Sequence, residues 1–471
     1  MRGGRLTTQH EVFAELFSPA AFTSIFDERF ARARSKGIDR LSGAQFAGRS
    51  AVELSVATVK VRERSFRFSP YLEVLKLKGR DKPPRLVGIP TVRDRVVLHQ
   101  LNEFLKTIFP ESVPAHIASG YVRQIATDIG TCSPSLTCVF SGDIRNFYDS
   151  IPRSRLLHIL SRKIEVPAAL DLVRRALATP IVTKHSTRAS RTAGQPKDRG
   201  VPQGLSISNL LAAMYLHDLD EAMPRAFNVR YFRYVDDILM YGAQDAVDAA
   251  RVSLRARLRR RGLSLHPPGS GKSHFEPLTR PFGYLGYLFA VPTITVRAST
   301  VERLLQSLAS LFSDFSHNKE RRLAKLQYLT PERLKEIFMM ELNDRITGAI
   351  RESRRYGWIA YFGQINDETL LHRLDSSVTA MFERLPEFNR RPPPGLKRFA
   401  RALFEMRHRP AAGYIRNYDI FETPAQMLYF LSQRGRVDPS EQLSDDQITA
   451  RFQNYVMRQL SEMHADEGVI Y

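Results

Sequence analysis

Three aspartates stand beside β-like segments, where their carboxylates could bind a metal ion. Asp143 follows the apolar segment 136–140, while Asp236 and Asp237 lie between two runs rich in aromatic and β-branched residues, which predicts a hairpin with the acids at its turn. Carboxylates at strand ends bind hard cations such as Mg²⁺, and two such ions could promote an in-line phosphoryl displacement. An Asp-Asp pair alone is also typical of a plain polar turn, so the surrounding sequence has to decide between the two interpretations.

Both helices and strands must position these acids. Apolar residues at helical spacing predict helices within residues 8–60, 96–109 and 252–261. Composition predicts a β-hairpin with a basic tip over residues 71–90 and a further β segment over residues 282–289. The sequence therefore predicts a mixed fold rather than a helical bundle.

The chain is predicted to be almost wholly helical after about residue 300. Leucines recur at helical spacing in residues 301–315 and again in residues 331–350. The segment Arg391-Pro392-Pro393-Pro394-Gly395 cannot continue a helix and predicts a boundary or linker.

Composition and charge restrict the class of protein. The chain has 471 residues, 43% of them hydrophobic and 10% aromatic, which is typical of a folded protein. Its 70 Lys and Arg against 49 Asp and Glu give a net charge of +21, which favours a polyanionic partner such as nucleic acid. The two cysteines, Cys132 and Cys138, argue against a disulfide framework or a zinc site. Because no apolar segment is long enough to span a bilayer, we expect a cytoplasmic protein without membrane contact.

Three motifs resemble those of reverse transcriptases and occur in that family's order. Residues 232–239, Phe-Arg-Tyr-Val-Asp-Asp-Ile-Leu, resemble the Tyr-x-Asp-Asp active-site hairpin. Residues 141–151, which contain Asp143, resemble the first catalytic carboxylate motif. Between them, residues 200–209 resemble the Pro-Gln-Gly loop and the helix that follows it. On these motifs the chain is identified as a member of the reverse transcriptase family.

The resemblance implies an α+β fold of the right-hand polymerase type. Residues 1–295 would form fingers and palm, with an antiparallel sheet that carries the catalytic carboxylates. Residues 296–390 would form a helical thumb, and residues 391–471 a further helical region.

The resemblance also implies an RNA-directed DNA polymerase that works with two Mg²⁺ ions, for which Mn²⁺ is a substitute. Asp143, Asp236 and Asp237 would be the catalytic residues. The same three residues and the backbone carbonyl of Ile144 would be the metal ligands. A primer 3′-hydroxyl would attack the α-phosphate of a deoxynucleoside triphosphate, and pyrophosphate would leave.

Further positions match the nucleotide-binding residues of the family. Arg85 corresponds to the fingers arginine that holds the triphosphate, and its lysine partner is Lys78 by spacing, although Lys76 and Lys82 lie in the same basic tip. Lys272 corresponds to the lysine near the departing pyrophosphate, which serves as general acid in this interpretation.

Two more residues complete the implied nucleotide site. Tyr148 matches the aromatic residue beneath the nucleotide sugar, where a bulky ring would exclude a 2′-hydroxyl and so favour deoxynucleotides. Gln203 matches the glutamine that contacts the nucleotide and template, and Gly204 would let the backbone approach closely. Residues 282–287 resemble the primer-grip hairpin.

The subgroup is predicted from departures within the Pro-Gln-Gly motif. Leu205 after Gly204 and Asn209 after Ser208 depart from the pattern typical of intron-encoded enzymes. The Pro-Gln-Gly-Leu variant, followed by residues 210–215 and Asp218-Leu219-Asp220 and by a helical C-terminal region of about 170 residues, most resembles the unassigned and abortive-infection groups of bacterial reverse transcriptases. This implies antiviral (anti-phage) defence by DNA synthesis, on a dedicated non-coding RNA or with little template dependence. The expected partners are RNA, the DNA product, deoxynucleoside triphosphates, and a defence protein or a second copy of the chain. The alternatives are a group II intron-type maturase and reverse transcriptase, or an RNA-binding scaffold with an inactive polymerase fold.

Overall fold

A computed structural model describes four stretches of the chain: residues 8–76, 84–114, 116–186 and 198–467. Within these stretches, no helix combines the length and the apolar character needed to cross a membrane.

Contacts divide the chain into two compact units. The first consists of residues 1–115 and 138–275, and the second of residues 116–137 and 276–471. The domain boundaries at residues 295 and 390 stay predictions.

The first unit begins with helices, as predicted for residues 8–60. They are α1 (Gln9–Leu16), α2 (Pro19–Ile25), α3 (Gly43–Ala47) and α4 (Ser50–Arg62), with a π-helical turn, Phe26–Phe30, after α2. Thr8 and Ser42 are the N-caps of α1 and α3 in capping boxes: the cap side chain accepts from the backbone amide three residues later, and the side chain of that later residue accepts from the cap amide. Apolar side chains of α1, α2 and α4 enter the core of this unit.

The two strands of the predicted basic hairpin are present in the described residues. Strands β1 (Tyr71–Lys76) and β2 (Arg85–Ile89) pair antiparallel, and α5 (Val92–Ile108) follows with Thr91 as its N-cap. The tip of the hairpin, with the predicted site residue Lys78, lies outside the described residues. The next helix along the chain, α6 (Ala118–Ile129), belongs to the second unit.

The carboxylates lie on a four-stranded sheet with the order β5-β6-β3-β7. Strand β6 is antiparallel to both β3 and β5, and its residues 238–241 are fully buried. The elements from β3 to β7 are β3 (Cys138–Asp143), α7 (Phe147–Ser150), α8 (Arg153–Ser161), α9 (Pro167–Ala178), β4 (Ile181–Val182), α10 (Ser208–Phe227), β5 (Arg230–Tyr234), β6 (Asp237–Gly242), α11 (Gln244–Arg260) and β7 (Ser273–Pro277). Helices α10 and α11 contribute buried apolar side chains to the core of this unit, which explains their apolar spacing.

The second unit combines α6 with two small sheets and a set of helices. Strands β8 (Phe282–Tyr284), β9 (Tyr287–Ala290) and β10 (Thr293–Val296) form an antiparallel sheet, which confirms the β segment predicted over residues 282–289. The remaining elements are α12 (Ala298–Lys325), α13 (Pro331–Thr347), β11 (Ala349–Arg351), β12 (Arg354–Tyr356), α14 (Trp358–Tyr361), α15 (Glu368–Met381), α16 (Phe399–His408), β13 (Arg416–Asn417), α17 (Pro424–Gln433) and α18 (Asp445–Glu467).

The expectation of an almost wholly helical region after residue 300 is wrong at β11, β12 and β13, which form a sheet. Strands β11 and β12 are joined by Glu352 and Ser353, both with positive φ, as in a type I′ hairpin turn. Asp419 accepts hydrogen bonds from the amides of both turn residues, at 2.7 and 3.0 Å. The Glu-Ser pair lacks the Asn-Gly sequence that usually indicates such a turn, and the distant Asp419 stabilises the turn instead.

Candidate active site

The three predicted catalytic carboxylates come together at one end of the β5-β6-β3 sheet. Asp143, the last residue of β3, is directly opposite Asp237, the first residue of β6. Asp236 lies in the two-residue turn between β5 and β6, so the predicted acid-bearing hairpin is confirmed. Directly opposed residues of antiparallel strands have Cα atoms roughly 5 Å apart, and like charges there are destabilising. The arrangement therefore costs stability that a bound cation would restore.

The turn that carries Asp236 is strained and is held by a buried arginine. Val235 has a φ of 57°, which is unusual for a β-branched residue. Arg233 donates from Nη1 to the Val235 carbonyl at 2.8 Å and from Nε to both carboxylate oxygens of Asp220, at 2.8 and 3.0 Å. The Arg233 side chain is only 8% exposed. It thereby ties the turn to α10 and fixes the position of Asp236.

Asp143 also contacts two residues from the segment that precedes β7. Lys272 donates from Nζ to Oδ2 of Asp143 at 3.2 Å, and Nε2 of His266 lies 3.2 Å from Oδ1. Lys272 Nζ is 3.1 Å from the same His266 nitrogen, and a lysine ammonium has only donors, so neutral His266 would accept there. The pKa of His266 is lowered by burial and then by Lys272, which favours that neutral form.

The backbone around Ile144 joins the same elements. The Ile144 amide donates to the Asp236 carbonyl at 3.0 Å. An antiparallel bridge pairs Ile144 with Leu265, through hydrogen bonds from Arg145 to Ser264 and from His266 to Asp143. Neither bond of this bridge uses the Ile144 carbonyl, the atom predicted to be a metal ligand.

Burial and repulsion by neighbouring carboxylates both raise the pKa of Asp236. Burial, Asp237 and Asp143 raise it from 3.8 to about 7, in that order of importance, while Arg85 opposes the rise. A carboxyl group whose ionisation is suppressed by two other carboxylates marks a site that favours cations.

The donor chemistry of this site fits a hard divalent cation. The oxygens of Asp143, Asp236 and Asp237 are the ligand type that Mg²⁺ uses when substrate phosphates complete its coordination. Among the residues that the structure describes, no three His, Cys, Asp or Glu side chains converge closely enough for a ready-made metal site. The Asp143 carboxylate contacts Lys272 and His266, and a metal ion at its oxygens would compete with both contacts.

The predicted nucleotide side of the site is assembled from three distant segments. The Gly88 amide of β2 donates to the Gln203 carbonyl at 2.8 Å, which brings the Pro-Gln-Gly loop to the strand of Arg85. Gly204 has a φ of 102°, and a Cβ atom there would lie 2.6 Å from the Gly88 carbonyl oxygen. The backbone at Gly204 thus closely approaches Gly88 of β2, whereas an approach to the nucleotide stays a prediction.

Tyr148 lies beside this loop and close to the carboxylates. Its carbonyl accepts from the amide of Val201 at 2.8 Å, and its ring is buried. Burial and then Asp236 raise the pKa of Tyr148, and Arg85 lowers it, which places all three groups within electrostatic reach of one another.

Sequence reasoning missed two contacts of the predicted site residues. The Tyr148 hydroxyl donates to Oδ1 of Asn209 at 2.7 Å. The sequence motifs relate Asn209 only to the subgroup and give His266 no role beside Asp143. The one sequence signal for Asn209 is that it is an unusual residue in the Pro-Gln-Gly motif.

The match to a protein family covers the whole of this site. Residues 77–289 match the family model described as "Reverse transcriptase (RNA-dependent DNA polymerase)". Residues 77–289 are a reverse transcriptase domain. The predicted fold class, an α+β polymerase fold whose antiparallel sheet carries the carboxylates, is confirmed.

Curated relatives of the reverse transcriptase domain are proteins of introns. A 171-residue match, 34% of this chain, is 30% identical to the "Uncharacterized 91 kDa protein in cob intron" of Schizosaccharomyces pombe and covers 20% of it. The "Group II intron-encoded protein LtrA" of Lactococcus lactis subsp. cremoris is 23% identical over 171 residues, which are 34% of this chain and 26% of that protein. The chain thus spans only a fifth to a quarter of these relatives.

A solved structure of telomerase from Candida albicans, in complex with the TWJ fragment of telomeric RNA, is also similar. The match covers 70% of this chain and 64% of that one, with 12% identity and a TM-score of 0.42.

Proposed function

We propose that this protein is an RNA-directed DNA polymerase that uses Mg²⁺. The observation that carries the proposal is the position of the acids: Asp143 opposite Asp237 in strand register, with Asp236 in the adjoining turn. The match of residues 77–289 to the reverse transcriptase family supports the same activity. An inactive scaffold has no need to retain three mutually repelling carboxylates at a cost in stability.

Each residue around the acids has a role in this proposal. Asp143, Asp236 and Asp237 would hold Mg²⁺, with the Ile144 carbonyl as a further ligand. Bound there, Mg²⁺ would supply charge neutralisation at the phosphates of the incoming nucleotide. Arg233 holds the turn that presents Asp236.

The basic and aromatic residues would act on the nucleotide. Arg85 and Lys78 would bind its triphosphate, and Gln203 would contact the nucleotide and template. Tyr148 would exclude a 2′-hydroxyl. Lys272, whose protonated amine contacts Asp143, would donate a proton to the departing pyrophosphate.

Primer extension on an RNA template with deoxynucleotides and Mg²⁺ tests the activity. We expect extension by the unaltered protein and a loss of at least a thousandfold in Asp236→Asn, because one of three metal-binding carboxylates is removed. Asp149→Asn is the matched control, since Asp149 is an exposed acid near the same strand. Normal extension by Asp236→Asn, or an equal loss in Asp149→Asn, would contradict the assignment.

We further propose that the template or partner is a structured RNA of the group II intron type. The relatives named above are intron-encoded, which supports the maturase alternative over antiviral defence. The net charge of +21 suits tight binding of a folded RNA as well as a primer–template duplex. The defence function stays a prediction from the Pro-Gln-Gly-Leu motif.

Two measurements separate these functions. RNA that copurifies with the protein from its own host should map to an intron flanking the gene, and the pure protein should bind that RNA more tightly than a scrambled RNA of equal length. If the bound RNA maps elsewhere, the intron proposal fails. Phage challenge of cells that carry the unaltered protein or Asp236→Ala tests antiviral defence, because polymerase-dependent defence requires that this variant lose protection.

A further inference from the structure

The second unit contains a cavity whose wall is part apolar and part arginine. Its volume is about 160 Å³. The apolar part consists of leucine and isoleucine side chains of α12, α13 and the segment between them. The other part carries five arginines: Arg322 of α12, Arg345 of α13, Arg434 and Arg436 after α17, and Arg458 of α18. So many cations around one small cavity suggest an anionic ligand.

Each arginine of the wall pairs with at least one carboxylate. The pairs are Arg322 with Asp314, Arg345 with Asp466 and Glu462, Arg434 with Asp344, Arg436 with Glu341, and Arg458 with Glu462. A guanidinium has five N–H donors in a fork, and one carboxylate uses about two of them. These ion pairs therefore leave donors for a second anion, particularly on the partly exposed arginines.

The surroundings of the cavity have an excess of positive charge. Arg416 lies 3.7 Å from Asp344, and Lys397 interacts electrostatically with Asp344, Arg416 and Arg434. Neither of these two residues lines the cavity, but with them seven cations face the five carboxylates of the ion pairs, a difference of +2 across this set of residues. An anion of two charges would balance it.

Arg434, a buried residue of the wall, has a hydrogen-bond donor without a partner. It is 1% exposed, and its Nη1 and Nη2 donate to the Tyr455 hydroxyl and to Asp344, at 3.1 and 2.5 Å. Its Nε is buried and has no hydrogen-bond partner. A buried donor without a partner destabilises the folded state. Arg434 is a residue of the cavity wall, so this unpaired donor belongs to one of the side chains that form it.

The volume limits what can bind. At ~30 Å³ for each water molecule, the cavity holds about five waters, and it is smaller than the ~300–1,000 Å³ pockets of drug-sized ligands. We propose that this cavity binds a phosphate group, either as a free anion or at the 5′ end of a nucleic acid. The proposal does not rest on the polymerase function and is tested without it.

Thermal unfolding of the full chain with added inorganic phosphate, at constant ionic strength set by chloride, measures binding. We expect a saturable rise in the midpoint of unfolding. Arg436→Gln should weaken the apparent affinity about tenfold, because one charge-assisted contact is lost. Glu341→Gln should strengthen it a few-fold, because the carboxylate that competes for Arg436 becomes neutral. Arg373→Gln is the control, since Arg373 is exposed on α15 and is not part of the wall.

The opposite effects of the two partner variants distinguish a phosphate site from a purely structural ion pair. A structural pair would lose stability equally in both variants and would leave the response to phosphate unchanged, which would overturn the proposal. An equal phosphate response in Arg436→Gln and the unaltered protein would also overturn it, because the stabilisation would then be a general salt effect.

Two oligonucleotides identify the source of the phosphate. A response to free phosphate or pyrophosphate that Arg436→Gln weakens supports a free anion as ligand. A response confined to a 5′-phosphorylated oligonucleotide, and absent with its 5′-hydroxyl counterpart, supports a nucleic-acid terminus. Equal responses to the two oligonucleotides, with no response to the free anions, would contradict both a free anion and a 5′-phosphate as the ligand.

Discussion

Replacement of Asp236 by asparagine should stabilise the metal-free protein, and the gain should depend on pH. Burial, followed by Asp237 and Asp143, raises the pKa of Asp236 from 3.8 to about 7. A carboxyl whose pKa is raised on folding contributes stability that is fully present below about pH 4 and is lost as the pH rises through about 7. Three pKa units at about 1.4 kcal/mol each give a loss of roughly 4 kcal/mol above pH 7.

The variant should escape this loss, since asparagine keeps the shape of aspartate without its charge. In EDTA we expect Asp236→Asn to be more stable than the unaltered protein by roughly 4 kcal/mol at pH 8 and by roughly 2 kcal/mol at pH 5. Urea denaturation at the two pH values measures the difference. Asp149→Asn, at an exposed acid, should show no such pH-dependent gain.

Addition of Mg²⁺ at pH 8 should then reduce the difference in stability between Asp236→Asn and the unaltered protein. A bound cation relieves the repulsion in the unaltered protein, so Mg²⁺ should raise its stability more than that of Asp236→Asn. Equal stabilities at pH 8 in EDTA, or a less stable variant, would refute the reasoning that burial and the two neighbouring carboxylates suppress the ionisation of Asp236.

Three further predictions concern the residues around the acids. Tyr148→Ala should raise ribonucleotide incorporation at least tenfold, and Asn209→Leu should raise it less, because the Tyr148 ring stays but loses its hydrogen bond. Single-nucleotide extension with deoxy- and ribonucleotides measures both variants, and unchanged selectivity in Tyr148→Ala would show that Tyr148 does not exclude the 2′-hydroxyl. Lys272→Gln should lower kcat at least tenfold with a smaller change in KM, whereas an effect on KM alone would exclude a role in proton donation. Gly204→Ala should destabilise the protein by about 2 kcal/mol or more, since its φ is positive and its neighbour is backbone. Gly48→Ala, with open space around it, should be near neutral in the same denaturation series.

The local elements of the catalytic sheet could be predicted because their signals are local. The β5–β6 hairpin follows from β-branched and aromatic runs on either side of Asp236 and Asp237, and the helices of residues 8–60 follow from apolar spacing and capping residues. The β11–β12 hairpin could not be predicted, since its Glu352-Ser353 turn depends on hydrogen bonds to Asp419, 66 residues further along the chain.

The sequence by itself determined which acids are present, their order along the chain, and the strand-turn-strand pattern that exposes two of them. Only the tertiary structure decided that Asp143 is opposite Asp237, that Tyr148 donates to Asn209, and that Lys272 and His266 contact Asp143. The five arginines of the cavity likewise meet only when four helical segments pack together. The physical reason is that strand register and helix packing are set by burial of the whole core, which no short stretch of sequence records.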